Sequence, residues 1–247
     1  VNIREQLNTL ATTQKKSKNL SEAQKIVEKL ILLINDKAKH SDILDVSLNI
    51  KNLLIKSFKL NMSPKKRLIS SQTGKKLYQT YCSSCHGTNG QGDGPAALGL
   101  EPPAKNFHDE SIRQAGSIAK NFNILLTGIP DTSMSSYSFL SEEERWHLAF
   151  TVSSLSHQHS SKEIETPQKN NFYQKILAEL IDKGLTLEVL SNLSDRELRA
   201  WLAKKLILFS SLKDKDQLLF IAYLRTKAPY LENLPLNSSH LKKTNQN

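Results

Sequence analysis

The run Cys82-Ser83-Ser84-Cys85-His86 constrains this chain more than any other stretch. It holds both of the cysteines, so no disulfide can staple another part of the molecule. Residues three apart lie on one face of a helical turn, which points both sulfurs the same way. Two such thiols with a histidine directly after the second suit covalent attachment of one haem through two thioethers. His86 then falls beneath the ring, where a neutral imidazole nitrogen can bind the iron. A zinc site wants two further Cys or His ligands at suitable spacing, and no second Cys pair exists. A thioredoxin-like dithiol wants a βαβ context, which the pattern does not offer. One haem c held by Cys82 and Cys85 is therefore the expectation. It places the protein outside the cytoplasm, in a periplasm or its equivalent.

The formal charge of +10 invites a nucleic-acid reading, and its distribution argues against one. Residues 1–72 carry 14 basic and 6 acidic side chains, residues 73–160 carry 6 and 8, and residues 161–247 carry 14 and 10. The positive excess sits in the flanks as scattered Lys, not as a basic stripe interleaved with aromatics. We expect solvated helix faces and no nucleic-acid partner; an anionic membrane surface or an acidic redox partner stays open. No secretory leader is legible at Val1, so the chain reads as mature or trimmed. The apolar runs are far shorter than the ~20 residues of a spanning helix.

Along the chain, helical periodicity recurs and strand alternation does not. Ser21-Glu22-Ala23-Gln24 has capping-box spacing ahead of Ile26, Val27, Leu30, Ile31, Leu33 and Ile34. A second helix is predicted from Asp42 to Lys59, joined by the polar Asn35–Ser41. Ser63-Pro64-Lys65-Lys66-Arg67 reads as a linker, with a boundary near residue 72. A helix then runs from about Gly74 into the cysteine motif. Gly87–Phe107 holds five glycines and the Pro102–Pro103 pair, which specifies a looped excursion. Thr127–Ser136 is a second loop and carries Met134. Ser141-Glu142-Glu143-Glu144 is a strong helix start, and His157-Gln158-His159 reads as a solvated helix end. Amphipathic helices follow over 171–206 and Lys213–Arg225, before a polar tail. The organisation expected is 1–72 as helical hairpin and linker, 73–160 as the haem domain, and 161–247 as a C-terminal helical segment and tail.

Residues 73–157 resemble class I c-type cytochromes, in which a Gly, an aromatic four later and the first haem cysteine four after that share one helix. Gly74, Tyr78 and Cys82 match that spacing. The resemblance implies an all-α fold, with a class I cytochrome c haem domain between N- and C-terminal amphipathic helical segments. It implies that Gly74 and Tyr78 pack on the helix holding Trp146 and Phe150. It implies that the carbonyl of Pro102 or Pro103 accepts the proximal His86 hydrogen bond, and that Met134 is the sixth iron ligand. A finer resemblance covers GQGDGPAALGLEPPAKNF and TGIPDTSMSSYSFLSEEERWHLAF, which are similar to the cytochrome domain fused ahead of bacterial high-affinity iron permeases. This chain lacks that family's transmembrane segments and its Arg-Glu-Gly-x-x-Glu motif. It reads either as an excised extracytoplasmic portion, tethered through a region absent here, or as a stand-alone relative.

The function these features imply is single-electron transfer by a mono-haem domain rather than stand-alone catalysis. Redox proteins or ferrous and ferric iron are the expected partners, with a membrane iron permease implied by the finer resemblance. A haem-based sensor or a peroxidase-like enzyme is the competing expectation, and it requires a displaceable sixth ligand.

Overall fold

The computed structural model describes residues 8, 18–58, 62–65, 69–158, 161–231 and 234–236. Among them there is helix and no strand, as the periodicity requires. The chain divides into two compact units, Val1–Met62 and Ser63–Asn247.

The first unit is a helical hairpin. Helix α1 (Lys18–Asn35) and helix α2 (His40–Phe58) pack through Leu20, Val27, Leu30 and Ile50. Residues i, i+3 and i+7 fall on one face of a helix, which is why Leu20, Ala23, Val27 and Leu30 are buried together. The turn between the helices is tight: Ala38 donates to the Leu33 carbonyl at 2.9 Å and Lys37 has φ 50°. Ser21 lies inside α1 rather than at its start. Ile34, expected on the apolar stripe, is exposed.

The second unit is built on α3 (Ser71–Tyr81), α4 (Ser83–His86), α5 (Glu110–Ala115), α6 (Ile118–Thr127) and α7 (Glu142–Leu155). Helices α8 (Ser161–Ile164) through α13 (Asp214–Thr226) follow, with α9 at Pro167–Asp182, α10 at Leu187–Asn192, α11 at Asp195–Lys205 and α12 at Ile207–Ser211. Helix α7 is its axis. It opens on the expected capping box, with the Ser141 hydroxyl accepting from Glu144 N–H at 3.2 Å and the Glu144 carboxylate accepting from Ser141 N–H at 2.8 Å. From Arg145 to Thr151 every side chain is buried. Such a helix needs partners on all sides; α3, α6 and α13 supply them. Phe122 of α6 stacks on Trp146 with centroids 4.1 Å apart.

The expected boundaries at 72 and 160 are not where this unit divides. Ser70 N–H donates to His147 Nδ1 at 3.1 Å and Lys65 pairs with Glu142 at 3.0 Å, so residues 63–70 belong with α7. The C-terminal helices pack on α5, α6 and α7. Residues 234–236 return over the start of α10, where the Pro235 carbonyl accepts from Leu187 N–H at 2.7 Å.

Helix α3 approaches α7 at backbone distance because residue 74 has no side chain. A Cβ there would lie 2.1 Å from Thr151 Oγ1 and 2.6 Å from the His147 carbonyl oxygen. The backbone oxygen cannot step aside, so Gly74→Ala forces the helices apart. We expect it to destabilise the haem-loaded chain by about 1–3 kcal/mol, the usual cost of overpacking, as a lowered urea midpoint at unchanged slope.

Candidate haem site

The helical chain turns sharply after α3, and that turn carries the motif. Cys82 N–H still donates to the Tyr78 carbonyl at 2.9 Å, while the Cys82 carbonyl accepts from His86 N–H at 2.9 Å. Cys82, Cys85 and His86 are thereby fixed within one short helix and its cap. Tyr78 is buried, and its hydroxyl donates to the Gly87 carbonyl at 2.8 Å, tying α3 to the end of the motif. Burial pushes the Cys82 thiol up to about 12, with Cys85 adding to the shift. No group of three or more His, Cys, Asp or Glu fit to hold a metal ion occurs among the described residues, so the two thiols lack the further partners of a zinc site there.

The glycine-rich excursion folds back over the motif. Gly92 N–H reaches the His86 carbonyl at 2.9 Å and Gly94 N–H the Cys85 carbonyl at 3.1 Å. A Cβ on Gly94 would sit 2.2 Å from the Ser84 carbonyl oxygen, so backbone lies directly on backbone there. Phe107 N–H donates to the Gly90 carbonyl at 2.8 Å, and its ring stacks on His86 with centroids 4.6 Å apart.

This packing brings residues 104–107 to the back of His86 and corrects one expectation. The carbonyl facing His86 Nδ1 is that of Lys105, at 3.2 Å, and not that of Pro102 or Pro103. Phe107 docks in front of Gly90 and the Ala104 carbonyl lies against Gly92, which leaves the next carbonyl aimed at the imidazole. A carbonyl only accepts, so Nδ1 carries the hydrogen and Nε2 keeps its lone pair. Burial lowers the His86 pKa, and the Lys105 carbonyl partly opposes that shift. The balance favours the neutral ring a metal needs.

The second loop is anchored on α6. Gly128, at φ 70°, lies so close to the loop that a Cβ would be 2.7 Å from the Met134 carbonyl oxygen. Ile129 N–H donates to that same carbonyl at 2.9 Å, and Thr132 Oγ1 accepts from Met134 N–H at 3.1 Å. Tyr137 closes the loop by donating its hydroxyl to the Tyr81 carbonyl at 2.9 Å.

A single cavity of about 510 Å³ gathers Cys82, Cys85, His86, Pro102, Pro103 and Met134. That volume lies within the ~300–1,000 Å³ of small-molecule and cofactor sites. Its wall fits haem in chemistry as well as size. Leu100, Ile124 and Leu125 are apolar residues of that wall, and Lys105, Arg113 and Lys120 are basic residues along it that could pair with the two carboxylates of a haem. Arg113 Nε is buried without a hydrogen-bond partner among the described residues, the state of a donor whose acceptor comes with the ligand.

Residues 71–156 match the family model for Cytochrome c. This segment is similar to c-type cytochrome domains. The family implies covalently bound haem c and haem-based electron transfer with redox partner proteins, and the two cysteines stand in the attachment motif it requires. No curated protein matches the chain.

The matched segment does not close the cavity alone, and the residues that complete the wall carry no motif. His157, taken for a solvated helix end, is buried; His159 lies outside the described residues. Asp195 and Arg225 of the C-terminal helices join His157 in the cavity wall. Arg225 Nε donates to Asp195 Oδ1 at 2.9 Å, and Asp195 Oδ2 lies 2.8 Å from His157 Nε2. The available signal was Arg225 itself, a charge continuing the apolar run Leu218–Leu224, since a buried guanidinium demands a buried acceptor. Burial alone would raise the Asp195 carboxyl; Arg225 and then His157 override it and hold it at about 2. Asp195→Asn leaves Arg225 buried without its counter-charge, and we expect a loss of about 3–5 kcal/mol at pH 7. The folded carboxyl titrates below its ordinary 3.8, so the wild-type advantage is full above about pH 4 and fades as pH falls through about 2. Urea unfolding of both chains across that window should show the two stabilities converging.

Proposed function

We propose that this chain is a mono-haem electron carrier working outside the cytoplasm, with Cys82 and Cys85 as the attachment residues and His86 and Met134 as the two axial ligands. One observation carries the reading. Both cysteines, His86 and Met134 open on the same cavity, and the hydrogen bond to Lys105 leaves His86 with Nε2 as its free donor atom. Bound haem supplies a one-electron couple. The chain's residues do the rest: Lys105 orients the imidazole, and the Gly128 anchor holds the Met134 loop. Arg113 and Lys120 offer charge to the carboxylates, and the apolar wall keeps water from the iron. Two protein ligands leave no coordination site for a small molecule, which favours electron transfer over sensing or peroxide chemistry.

The proposal extends to iron. The likeness of the Gly90–Phe107 and Thr127–Phe150 runs to cytochrome domains of iron permeases supports a role in which the haem exchanges electrons with ferrous or ferric iron beside a membrane permease. Among the described residues no helix is long and apolar enough to cross a membrane, so such a permease is proposed as an associated partner or as another part of a longer chain.

The Cys82→Ala/Cys85→Ala chain should lose covalent haem, read as the mass of the intact protein after denaturation. The ferric wild type should show a methionine-sulfur charge-transfer band that disappears in Met134→Ala, and only the variant should bind carbon monoxide readily when reduced. Ready binding by the reduced wild type would instead place the chain with the sensors and peroxidase-like enzymes.

A further inference from the structure

His157, Asp195 and Arg225 lie beyond the residues that match the cytochrome family, yet they line the same cavity as the haem motif. They come from three places: the chain just after α7, the first turn of α11 and the last turn of α13. The three residues are 6%, 6% and 2% exposed. Charges are buried this deeply only when they are paired and hydrogen-bonded.

The pairing fixes the protonation of the ring. His157 Nδ1 lies 2.8 Å from the Ser153 carbonyl oxygen, and Nε2 lies 2.8 Å from Asp195 Oδ2. A carbonyl oxygen and an ionised carboxylate can only accept. A neutral imidazole has one N–H, so either tautomer would set a lone pair against an acceptor. Two N–H groups satisfy both contacts. Asp195 is held as the anion by Arg225, which also donates to the Leu190 and Leu193 carbonyls, each at 2.6 Å. Asp195 and Arg225 cancel in charge, and His157 decides the balance at this end of the wall. The other charged residues along the wall, Lys105 and Lys120 with Arg113 of α5, are all basic.

We infer that His157 is a fixed, doubly protonated cation in the wall of the haem cavity, latched there by Asp195 and Arg225, and that its charge favours the reduced form of the bound haem. The inference rests on the electron-carrier reading above. Oxidation adds one positive charge to the cavity, and a cation in a wall of low dielectric opposes it more strongly than the same charge in water. The C-terminal helices thereby become part of the cofactor's housing, because they supply the two residues that keep the ring in place. His157 is a positioned charge and makes no bond to iron.

The test uses the full, haem-loaded chain. In His157→Gln the amide can still donate to Asp195, but the charge is gone. The equilibrium constant for reduction, read on the haem-loaded fraction, should fall about tenfold, a downward shift of about 59 mV for a one-electron couple. Nitrogen-15 NMR of the reduced wild type near neutral pH should find a proton on each ring nitrogen of His157. That measurement needs no variant and decides the protonation even if His157→Gln loads haem poorly. A ring with a single proton, or a reversible couple unmoved by His157→Gln, overturns this inference alone. A wild-type chain with no reversible one-electron couple overturns the electron-carrier reading and this inference together.

Discussion

The contact of α3 with α7 through Gly74 is the constraint on which the second unit depends. A helix carrying the attachment motif must lie near enough to the axial helix for its last turn to face the cavity. The distance is set by backbone meeting side chain and backbone, with no Cβ between them. Everything downstream inherits that placement. Tyr78, one turn further along α3, reaches Gly87, and the glycine loop then lies on the motif instead of swinging free. The capping box at Ser141 and the buried face from Arg145 to Thr151 serve the same end, since they hold α7 rigid where α3 leans on it.

Local patterns were legible because their causes are local. A capping box is a contact between residues three apart: the one expected at Ser141 forms, while Ser21 lies inside α1. The motif's geometry follows from one helical turn, and the two loops could be read from their glycines and prolines. What sequence could not give was which atom of a loop meets which partner. The carbonyl behind His86 belongs to Lys105 because Phe107 stacks on the imidazole and Gly92 admits the backbone of Ala104. Neither contact is encoded by spacing.

The C-terminal part of the cavity wall was harder still. His157 sits in a polar stretch whose composition resembles solvent-facing chain, and its partner is 38 residues away. A pattern read in windows of one helix cannot join residues at that separation. Arg225 signals a buried charge at the end of its apolar run, but which residues it meets is a tertiary property, visible only once α11 and α13 are in place. The match to the cytochrome family stops just short of His157, so family likeness and periodicity omit the same wall.

The two sides of the cavity also differ in how far along the chain they must reach. The motif side closes through bonds four residues long, from Cys82 to His86. The bonds of the latched wall span 38 residues between His157 and Asp195 and 30 between Asp195 and Arg225. Loop-closure entropy grows with the logarithm of length, so the thiol side keeps its shape at a smaller entropic cost than the latched side. In a partly unfolded form the turn from Cys82 to His86 is therefore expected to outlast the contacts of His157, Asp195 and Arg225. Loosening such a molecule would open the latched wall of the cavity before it undid the turn that carries both thiols.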